Sequence, residues 1–267
     1  MSTRFDAQPQ EPYGSDVLTL QGKSALVTGG GRGIGRAICV MFGRLGARVA
    51  VNYARDEAAA LDTVAAVEGA GGQAYAARAD VSVPEEAGRL VDEAVRRFGA
   101  LDVLVVNHGI WRPAPIGTMT PAQWDETVRI NLGGAYAVCH HAARHMIVRR
   151  AGALILISST AGQRGEAGYS HYAASKGALL AFSRSLAAEL APHGIRVNAV
   201  APGWVLTDMT RHVFDGPEAA EALRPIPLGR PATPEEIAGP VAFLASDLAS
   251  YVWGEVLCVN GGAVMAG

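Results

Sequence analysis

A tyrosine and a lysine stand at positions i and i+4 of this chain, and a serine precedes them at the end of an apolar run. Tyr172 and Lys176 lie in a helix-like stretch, and Ser159 follows the strand-like residues 154–157. Positions i and i+4 share one helix face, so the ammonium can stabilise the phenolate while the serine hydroxyl meets the same substrate oxygen. A cation in a partly desolvated cleft is expected to lower the tyrosine pKa from about 10. This trio predicts proton exchange with a carbonyl or alcohol oxygen.

A glycine-rich stretch near the N-terminus indicates what transfers the accompanying hydride. The sequence T-G-G-G-R-G-I-G over 28–35 follows the strand-like residues 24–27 and opens the helix-like residues 34–45. Glycines let backbone N–H groups approach a pyrophosphate, and the positive end of the helix dipole favours its charge. The stretch therefore predicts a dinucleotide cofactor, although its spacing differs from the ordinary G-x-G-x-x-G pattern.

Short apolar runs alternate with helical patterns along the whole chain. The predicted strands are 24–28, 48–52, 74–79, 103–107, 153–157, 196–200 and 256–259. This alternation predicts an α/β fold with a doubly wound, seven-stranded parallel sheet, in which ligands bind at the carboxyl ends of the strands. We expect one Rossmann-fold domain over residues 22–267, preceded by a flexible N-terminal extension over residues 1–21. Residues 207–230, interrupted by glycine and proline, are predicted to form a mobile lid.

Composition excludes several other classes of protein. The 267 residues carry a formal net charge of −2, so no basic excess points to nucleic acid or to an anionic membrane surface. Apolar runs fall short of the ~18 residues of a membrane span, and residues 1–21 lack the pattern of a signal peptide, so a cytoplasmic location is expected. Cys39, Cys139 and Cys258 are widely spaced and are predicted to be small buried side chains, not disulfides or metal ligands.

Several motifs occur in a fixed order over about residues 22–262. They are the T-G-x-x-x-G-x-G loop, Asp80-Val81, Asn107-His108-Gly109, Asn131, Ser159, Tyr172-x-x-x-Lys176 and Pro202-Gly203. In these motifs the chain resembles the short-chain dehydrogenase/reductase family, and within it looks most like the 3-oxoacyl-[acyl-carrier-protein] reductases. The resemblance implies a catalytic set of Asn131, Ser159, Tyr172 and Lys176, with Asn131 holding a water that relays protons. It also implies a homotetramer, with residues 253–262 in one interface.

The resemblance also implies a set of cofactor-binding residues at the strand ends. They are Gly29, Arg32, Gly33, Ile34, Gly35, Asn52, Tyr53, Arg55, Asp80, Val81, Asn107, Gly109, Tyr172, Lys176, Pro202, Gly203, Val205 and Thr207. No carboxylate appears at the end of the second strand before Asp56, and Arg32 with Arg55 could clasp a 2′-phosphate, so NADP(H) is predicted over NAD(H). The alternative is that both arginines are solvated surface charges.

Several histidines need separate interpretation. His108 stands where the family commonly has alanine, and a packing role is favoured over a catalytic one. His141 and His145 lie one helical turn apart, but no carboxylate or cysteine nearby in sequence completes a zinc site, so no metal is expected. With His140, they are assigned to an interface or a solvated face.

The leading hypothesis is an NADPH-dependent carbonyl reductase of 3-oxoacyl thioesters. The alternatives are a dehydrogenase of another secondary alcohol, such as a cyclic, sugar or terpenoid one, and a catalytically idle dinucleotide-binding regulator. A complete Ser, Tyr and Lys set argues against the regulator. Trp111, Trp204 and Phe214 suggest an apolar substrate pocket. Arg150 occupies a position used to dock carrier protein in the resembled reductases, but the second basic position holds His193.

Overall fold

Seven parallel strands form the single sheet of the computed structural model, which describes residues 18–265. The strands are β1 (Ser24–Val27), β2 (Arg48–Tyr53), β3 (Gln73–Arg78), β4 (Val103–Val106), β5 (Gly152–Ile157), β6 (Ile195–Pro202) and β7 (Val256–Val259). Their order is β3-β2-β1-β4-β5-β6-β7, so the chain reverses direction across the sheet between β1 and β4. The predicted doubly wound sheet is confirmed. Most of the predicted N-terminal extension, residues 1–17, lies outside the described residues.

Helices follow the strands and cover both faces of the sheet. They are α1 (Gly33–Arg44), α2 (Glu57–Gly69), α3 (Pro84–Phe98), α4 (Pro121–Val128), α5 (Gly134–Arg149), α6 (Thr160–Arg164), α7 (Ser170–Leu190), α8 (Arg211–Phe214), α9 (Ala219–Leu223) and α10 (Pro234–Ala245). A five-residue π-helix, Arg129–Gly133, joins α4 to α5, and single 3₁₀ turns occupy Ala191–His193 and Asp247–Ala249. Such π segments occur frequently at functional sites.

Alternate residues of each central strand enter opposite hydrophobic cores. Leu104 of β4 packs in the core that includes Val138 of α5, whereas Val105 packs in the core that includes Ile38 of α1. Both faces of the strand are therefore withdrawn from water, which explains why the strands are apolar along their length.

The predicted lid contains two short helices, α8 and α9, and its flanks are joined. Val205 forms a parallel bridge with Ala232, and Leu206 N and Ala232 N donate to Ala232 O and Trp204 O, each at 2.9 Å. Arg230 makes two hydrogen bonds of 2.8 and 2.7 Å to the Glu236 carboxylate at the start of α10. The lid therefore begins and ends at two adjacent points of the chain, which hydrogen bonds hold together.

Two of the three cysteines match their predicted burial. Cys39 and Cys139 are buried, but Cys258 is only partly buried because it lies on the edge strand β7. Among residues 18–265, no helix is both long enough and apolar enough to cross a membrane.

Candidate active site

In the glycine loop after β1, two stretches of backbone come into close contact. Gly29 and Gly33 have φ of +62° and +52°, in the left-handed region that favours glycine. A Cβ on Gly35 would lie 2.2 Å from the Gly29 carbonyl oxygen, so no side chain fits there. The loop leads directly into the first turn of the twelve-residue helix α1, which contains no acidic residue. This cradle of backbone fits a dinucleotide pyrophosphate.

Two asparagines predicted to bind the cofactor hold this loop in place. Asn107 Nδ2 donates to Thr28 O at 3.1 Å and to Gly29 O at 3.0 Å. Asn52 Oδ1 accepts from Gly29 N at 3.2 Å, and its amide nitrogen donates to Ala77 O and Ala79 O, each at 3.1 Å. These side chains therefore support the loop through backbone hydrogen bonds, and cofactor binding at Asn52 and Asn107 stays a prediction.

At the end of the site predicted to hold the adenosine, some polar atoms already have hydrogen-bond partners and others do not. Asp80 Oδ1 accepts from Ser82 N and Oγ at 3.0 and 2.6 Å, which leaves Oδ2 available to a ligand. Burial raises the pKa of Asp80, but the Ser82 hydrogen bonds and the nearby arginines outweigh it and lower the pKa overall. Val81 is buried. The Tyr53 hydroxyl donates to Glu57 Oε1 at 3.0 Å, and its part in cofactor binding stays a prediction.

Arg32 and Arg55 are both exposed. Exposure is consistent with binding of a 2′-phosphate and also with solvated surface charges. Arg55 lies close enough to Asp80 for its charge to lower the pKa of that carboxyl. Arg32 is the N-cap residue of α1 and makes no side-chain capping bond there. Among residues 18–265, neither guanidinium has a side-chain hydrogen-bond or ion-pair partner, and binding of a 2′-phosphate by the two arginines stays a prediction.

Opposite the predicted adenosine end, the wall of the site is formed by the end of β6 and the first residues of the lid. Gly203 N donates to Val259 O at 3.0 Å, and a Cβ on Gly203 would lie 2.9 Å from Asn260 Cα. A Cβ on Gly33 would lie 3.2 Å from Thr207 Cγ2. The lid residue Thr207 therefore meets the glycine loop, as its predicted place in the cofactor site requires. Pro202 and Val205 are buried, and Ile34, next to Gly33 in sequence, is partly buried.

Ser159 and Tyr172 are brought together by the packing of α6 on α7. Ser159 caps α6 by accepting a hydrogen bond from Ala161 N at 3.1 Å. A Cβ on Gly162 would lie 2.6 Å from the Lys176 backbone carbon, so the two helices approach at a glycine. The Ser159 hydroxyl interacts with the Tyr172 phenol and thereby acts to lower its pKa.

The pKa values of Tyr172 and Lys176 differ from the sequence prediction. Burial raises the pKa of Tyr172 to about 12, and Lys176 is not among the groups that lower it. The Lys176 ammonium donates to Ile157 O at 2.8 Å, lies 5.9 Å from the centre of the tyrosine ring, and has its own pKa lowered by burial to about 8. Desolvation acts on both groups and favours their neutral forms. The expected lowering of the tyrosine pKa by Lys176 is therefore wrong for this structure.

Asn131 lies in the π-helix, fully buried, and joins two elements of the site. Its Oδ1 accepts from Ile110 N at 2.8 Å, and its Nδ2 donates to Ile110 O at 3.0 Å and to Ser175 Oγ at 3.1 Å. A Cβ on Gly109 would lie 3.2 Å from Asn131 Oδ1 and 3.5 Å from Lys176 Nζ. Gly109 is thus the point at which the asparagine and the lysine converge. No signal in the sequence indicates the π-helix, since its residues continue a helical pattern.

An aromatic wall lies at the start of α7. The Trp111 ring stacks on Tyr169 with 4.5 Å between centroids and meets the edge of Trp204 at 5.7 Å. Trp204 in turn meets Phe214 of the lid at 5.6 Å. Trp111 Nε1 donates to Glu166 Oε2 at 3.2 Å, and burial raises the pKa of that carboxyl. Tyr169 was not predicted; its place three residues before Tyr172 was the available signal.

The histidines of α5 have partners other than a metal. His145 Nε2 lies 2.9 Å from Asp92 Oδ1, and His141 packs so close to Gly88 of α3 that a Cβ there would lie 2.9 Å from its ring. In the part of the chain that the structure describes, no group of three or more His, Cys, Asp or Glu side chains could hold a metal ion.

Comparisons with known proteins cover nearly the whole chain. A family model described as Enoyl-(Acyl carrier protein) reductase matches residues 29–264. A 3-oxoacyl-[acyl-carrier-protein] reductase FabG of Staphylococcus aureus is 41% identical over 243 residues, which cover 91% of this chain and 98% of the relative. A 3-oxoacyl-[acyl-carrier-protein] reductase of Synechocystis is 38% identical, covering 93% of this chain and 100% of the relative. The crystal structure of a dehydrogenase/reductase from Sinorhizobium meliloti matches with a TM-score of 0.88 and 38% identity, covering 93% and 97% of the two chains.

The buried ammonium predicts how stability depends on pH. Burial lowers the pKa of Lys176 from 10.5 to about 8, so between these values the unfolded chain binds the additional proton. Lys176 should therefore contribute a rise in the free energy of unfolding with pH in this window, by up to about 1.4 kcal/mol per pH unit, and this contribution is lost as pH falls through about 8. Burial raises the pKa of the Cys39 and Cys139 thiols, which contribute in the opposite direction above about pH 9, so the lysine is measured as a difference between proteins. In urea unfolding of cofactor-free protein, the free energy of unfolding of wild type should rise with pH relative to that of Lys176→Met.

Lys23, the other lysine of the chain, supplies the control. Its side chain is 35% exposed, and Lys23→Met should retain the wild-type pH dependence. Equal pH dependence in wild type and Lys176→Met would contradict a desolvated ammonium at position 176.

Proposed function

Because this chain belongs to the short-chain dehydrogenase/reductase family and is thus an NAD(P)-dependent oxidoreductase of carbonyl and alcohol groups, we propose that it is an NADPH-dependent reductase of 3-oxoacyl thioesters. The observation that carries the proposal is the meeting of Ser159, Tyr172 and Lys176 beside the glycine loop. It is supported by identity of 38 to 41% to two relatives named as 3-oxoacyl-[acyl-carrier-protein] reductases, over nearly their full lengths.

A protonated Tyr172 suits the reductive direction. With its pKa raised by burial to about 12, the phenol holds its proton near neutral pH and can act as a general acid toward a carbonyl oxygen. Ser159 Oγ accepts from Ala161 N and its hydroxyl is directed to the Tyr172 phenol, from which we propose that it turns to donate to the same carbonyl oxygen when substrate binds. The nicotinamide cofactor, when bound, supplies the hydride that reduces the carbonyl carbon.

Lys176 and Asn131 are proposed to restore the proton that Tyr172 gives up. The lysine pKa of about 8 lies close to neutral pH, so its ammonium can both lose and regain a proton. Asn131 Oδ1 and Lys176 Nζ approach one another at Gly109, which provides a polar route from the lysine toward the π-helix.

The proposal is tested by following NADPH oxidation with acetoacetyl thioesters. Tyr172→Phe should lower kcat by about 10² to 10⁴, because general acid catalysis contributes a factor of this size. Tyr75→Phe is a matched control, since the Tyr75 hydroxyl is buried near Phe98 of α3 and has no hydrogen-bond partner among the described residues. A crotonyl thioester tests reduction of a C=C bond, which the description of the family model names.

Turnover of the acetoacetyl thioester that survives in Tyr75→Phe and fails in Tyr172→Phe is the expected result. Reduction of the crotonyl thioester alone would replace the ketone assignment with an enoyl one. Full activity of Tyr172→Phe would remove the tyrosine from the reaction.

The preference for NADPH is proposed to depend on Arg32 and Arg55. Each guanidinium can donate charge-assisted hydrogen bonds to a 2′-phosphate, worth about 1.5 to 3 kcal/mol apiece. Arg32→Ala with Arg55→Ala should raise KM for NADPH by more than tenfold and leave KM for NADH nearly unchanged. Arg44→Ala, exposed at the far end of α1, is the control. If the double variant retained the wild-type ratio of NADPH to NADH activity, the arginines would be solvated surface charges.

A dehydrogenase of cyclic ketones or alcohols is the second candidate, and the aromatic wall favours it. Trp111, Tyr169 and Trp204 present flat faces and edges that suit a ring better than a flexible acyl chain. Docking of a carrier protein has weaker support, because Arg150 donates through Nη2 to Pro192 O at 2.7 Å. Cyclic ketones assayed beside the thioesters, free and on carrier protein, separate these substrates.

A homotetramer is also proposed, supported by apolar side chains on the surface of one protomer. Tyr136 and Val148 of α5 are 56% and 84% exposed, and Trp124 of α4 is 41% exposed. Tyr251, beside the region 253–262 assigned to an interface, is 98% exposed. Burying such side chains stabilises association. Sedimentation equilibrium should give a tetramer mass, and a monomer mass would contradict the assignment.

A further inference from the structure

His108 lies between the glycine loop and the π-helix and contacts both through its ring nitrogens. Nδ1 lies 2.8 Å from Thr28 Oγ1, and Nε2 lies 3.1 Å from the carbonyl oxygen of Ile130. A carbonyl oxygen can only accept, so Nε2 carries the proton and Nδ1 accepts from the threonine hydroxyl. Burial, more than the charge of Lys176, lowers the pKa of His108 to about 4, which keeps the ring neutral near pH 7.

The threonine end of this bridge is also fixed. Thr28 Oγ1 accepts from Asn107 N at 2.9 Å and from His108 N at 3.3 Å. The hydroxyl also lies 3.2 Å from Val105 O, but its one proton is assigned to the shorter contact with His108 Nδ1, so the hydroxyl joins the end of β1 to the end of β4. The histidine therefore extends from a rigid point and not from a free loop.

A glycine makes room for the ring at the π-helix. A Cβ on Gly134 would lie 2.6 Å from His108 Nε2 and 3.3 Å from Val81 O. A larger residue at 134 would displace the imidazole from the Ile130 carbonyl. A glycine as the first residue of α5 therefore leaves the space that the ring of His108 occupies.

The π-helix has a second attachment on the adenosine side of the site. Arg129 Nη1 donates to Ser82 Oγ, and Ser82 Oγ donates to Asp80 Oδ1 at 2.6 Å. Arg129 and Ile130 are consecutive, and Asn131 follows them directly. Both attachments therefore act on the backbone that carries Asn131.

We propose that His108 is a positioning residue that fixes the π-helix against the glycine loop and so sets the place of Asn131 between Ile110 and the catalytic helix α7. The histidine itself does not meet substrate. Its effect passes from Ile130 to the adjacent Asn131, whose amide holds Ile110 and Ser175. The inference rests on the proposed function only where turnover is the measurement.

Two substitutions at 108 separate the bridge from simple packing. His108→Leu removes both ring nitrogens, whereas His108→Gln retains a donor that can reach Ile130 O. We expect kcat to fall about tenfold or more in the leucine variant, since small displacements of catalytic groups carry penalties up to about 10². Glutamine should recover most of this loss, and KM for NADPH should change little in either variant. On an Asn131→Ala background, His108→Leu should cause no further loss, because the two residues act as one unit.

Amide hydrogen exchange of cofactor-free protein provides a measurement that needs no substrate. In His108→Leu, and in Gly134→Ala, which displaces the ring without removing it, residues 109–112 and 129–135 should exchange faster than in wild type, with His108→Gln near wild type. Unchanged exchange in His108→Leu would overturn the inference even if the substrate assignment failed. Faster exchange with unchanged kcat, additive losses with Asn131→Ala, or a loss confined to KM for NADPH would also overturn it.

Discussion

Lys176 is tied to the end of β5 at both its side chain and its backbone. The ammonium donates to Ile157 O at 2.8 Å, and the Lys176 carbonyl accepts from Ser158 Oγ at 2.7 Å. Withdrawing a cation from water is costly unless its hydrogen bonds are replaced, and here a strand-end carbonyl replaces one of them. The position of α7 on the sheet follows from this attachment, and with it the positions of Tyr172 and Ser175. The same burial favours the neutral forms of the lysine and the tyrosine, and it brings only the lysine pKa closer to neutral pH.

The site also depends on glycines at places where two segments approach too closely for a side chain. Gly35 touches the Gly29 carbonyl, Gly162 touches the backbone of α7, and Gly134 leaves space for a histidine ring. At each place a methyl group would collide with backbone or with a ring enclosed by other residues. These contacts hold the cofactor loop, the serine and the π-helix at fixed separations, which side-chain packing alone would leave adjustable.

Much of this arrangement could be predicted from the sequence, because its signals are local. Continuous apolar runs indicated strands buried on both faces, and the predicted strands match the observed ones to within about two residues. Ordered motifs at the strand ends indicated Ser159, Tyr172 and Lys176. What could not be predicted depends on contacts between distant segments. Asn52 and Asn107 turned inward to the glycine loop, the π-helix interrupted a continuous helical pattern, and desolvation reversed the expected direction of the Tyr172 pKa.

Val205 and Ala232 form a closed neck, from which the segment between them extends to contacts with the glycine loop through Thr207 and with the residues after β7 through Leu228. Since its two ends are already joined, changing the length of this segment adds little closure entropy, which grows only slowly with loop size. The segment carries Phe214 but none of Ser159, Tyr172 or Lys176. Transplanting the corresponding segment from another protein of the same architecture would thus exchange part of the aromatic wall while preserving the proton chemistry. Recombination at the two neck residues is a route by which such a scaffold acquires new substrates.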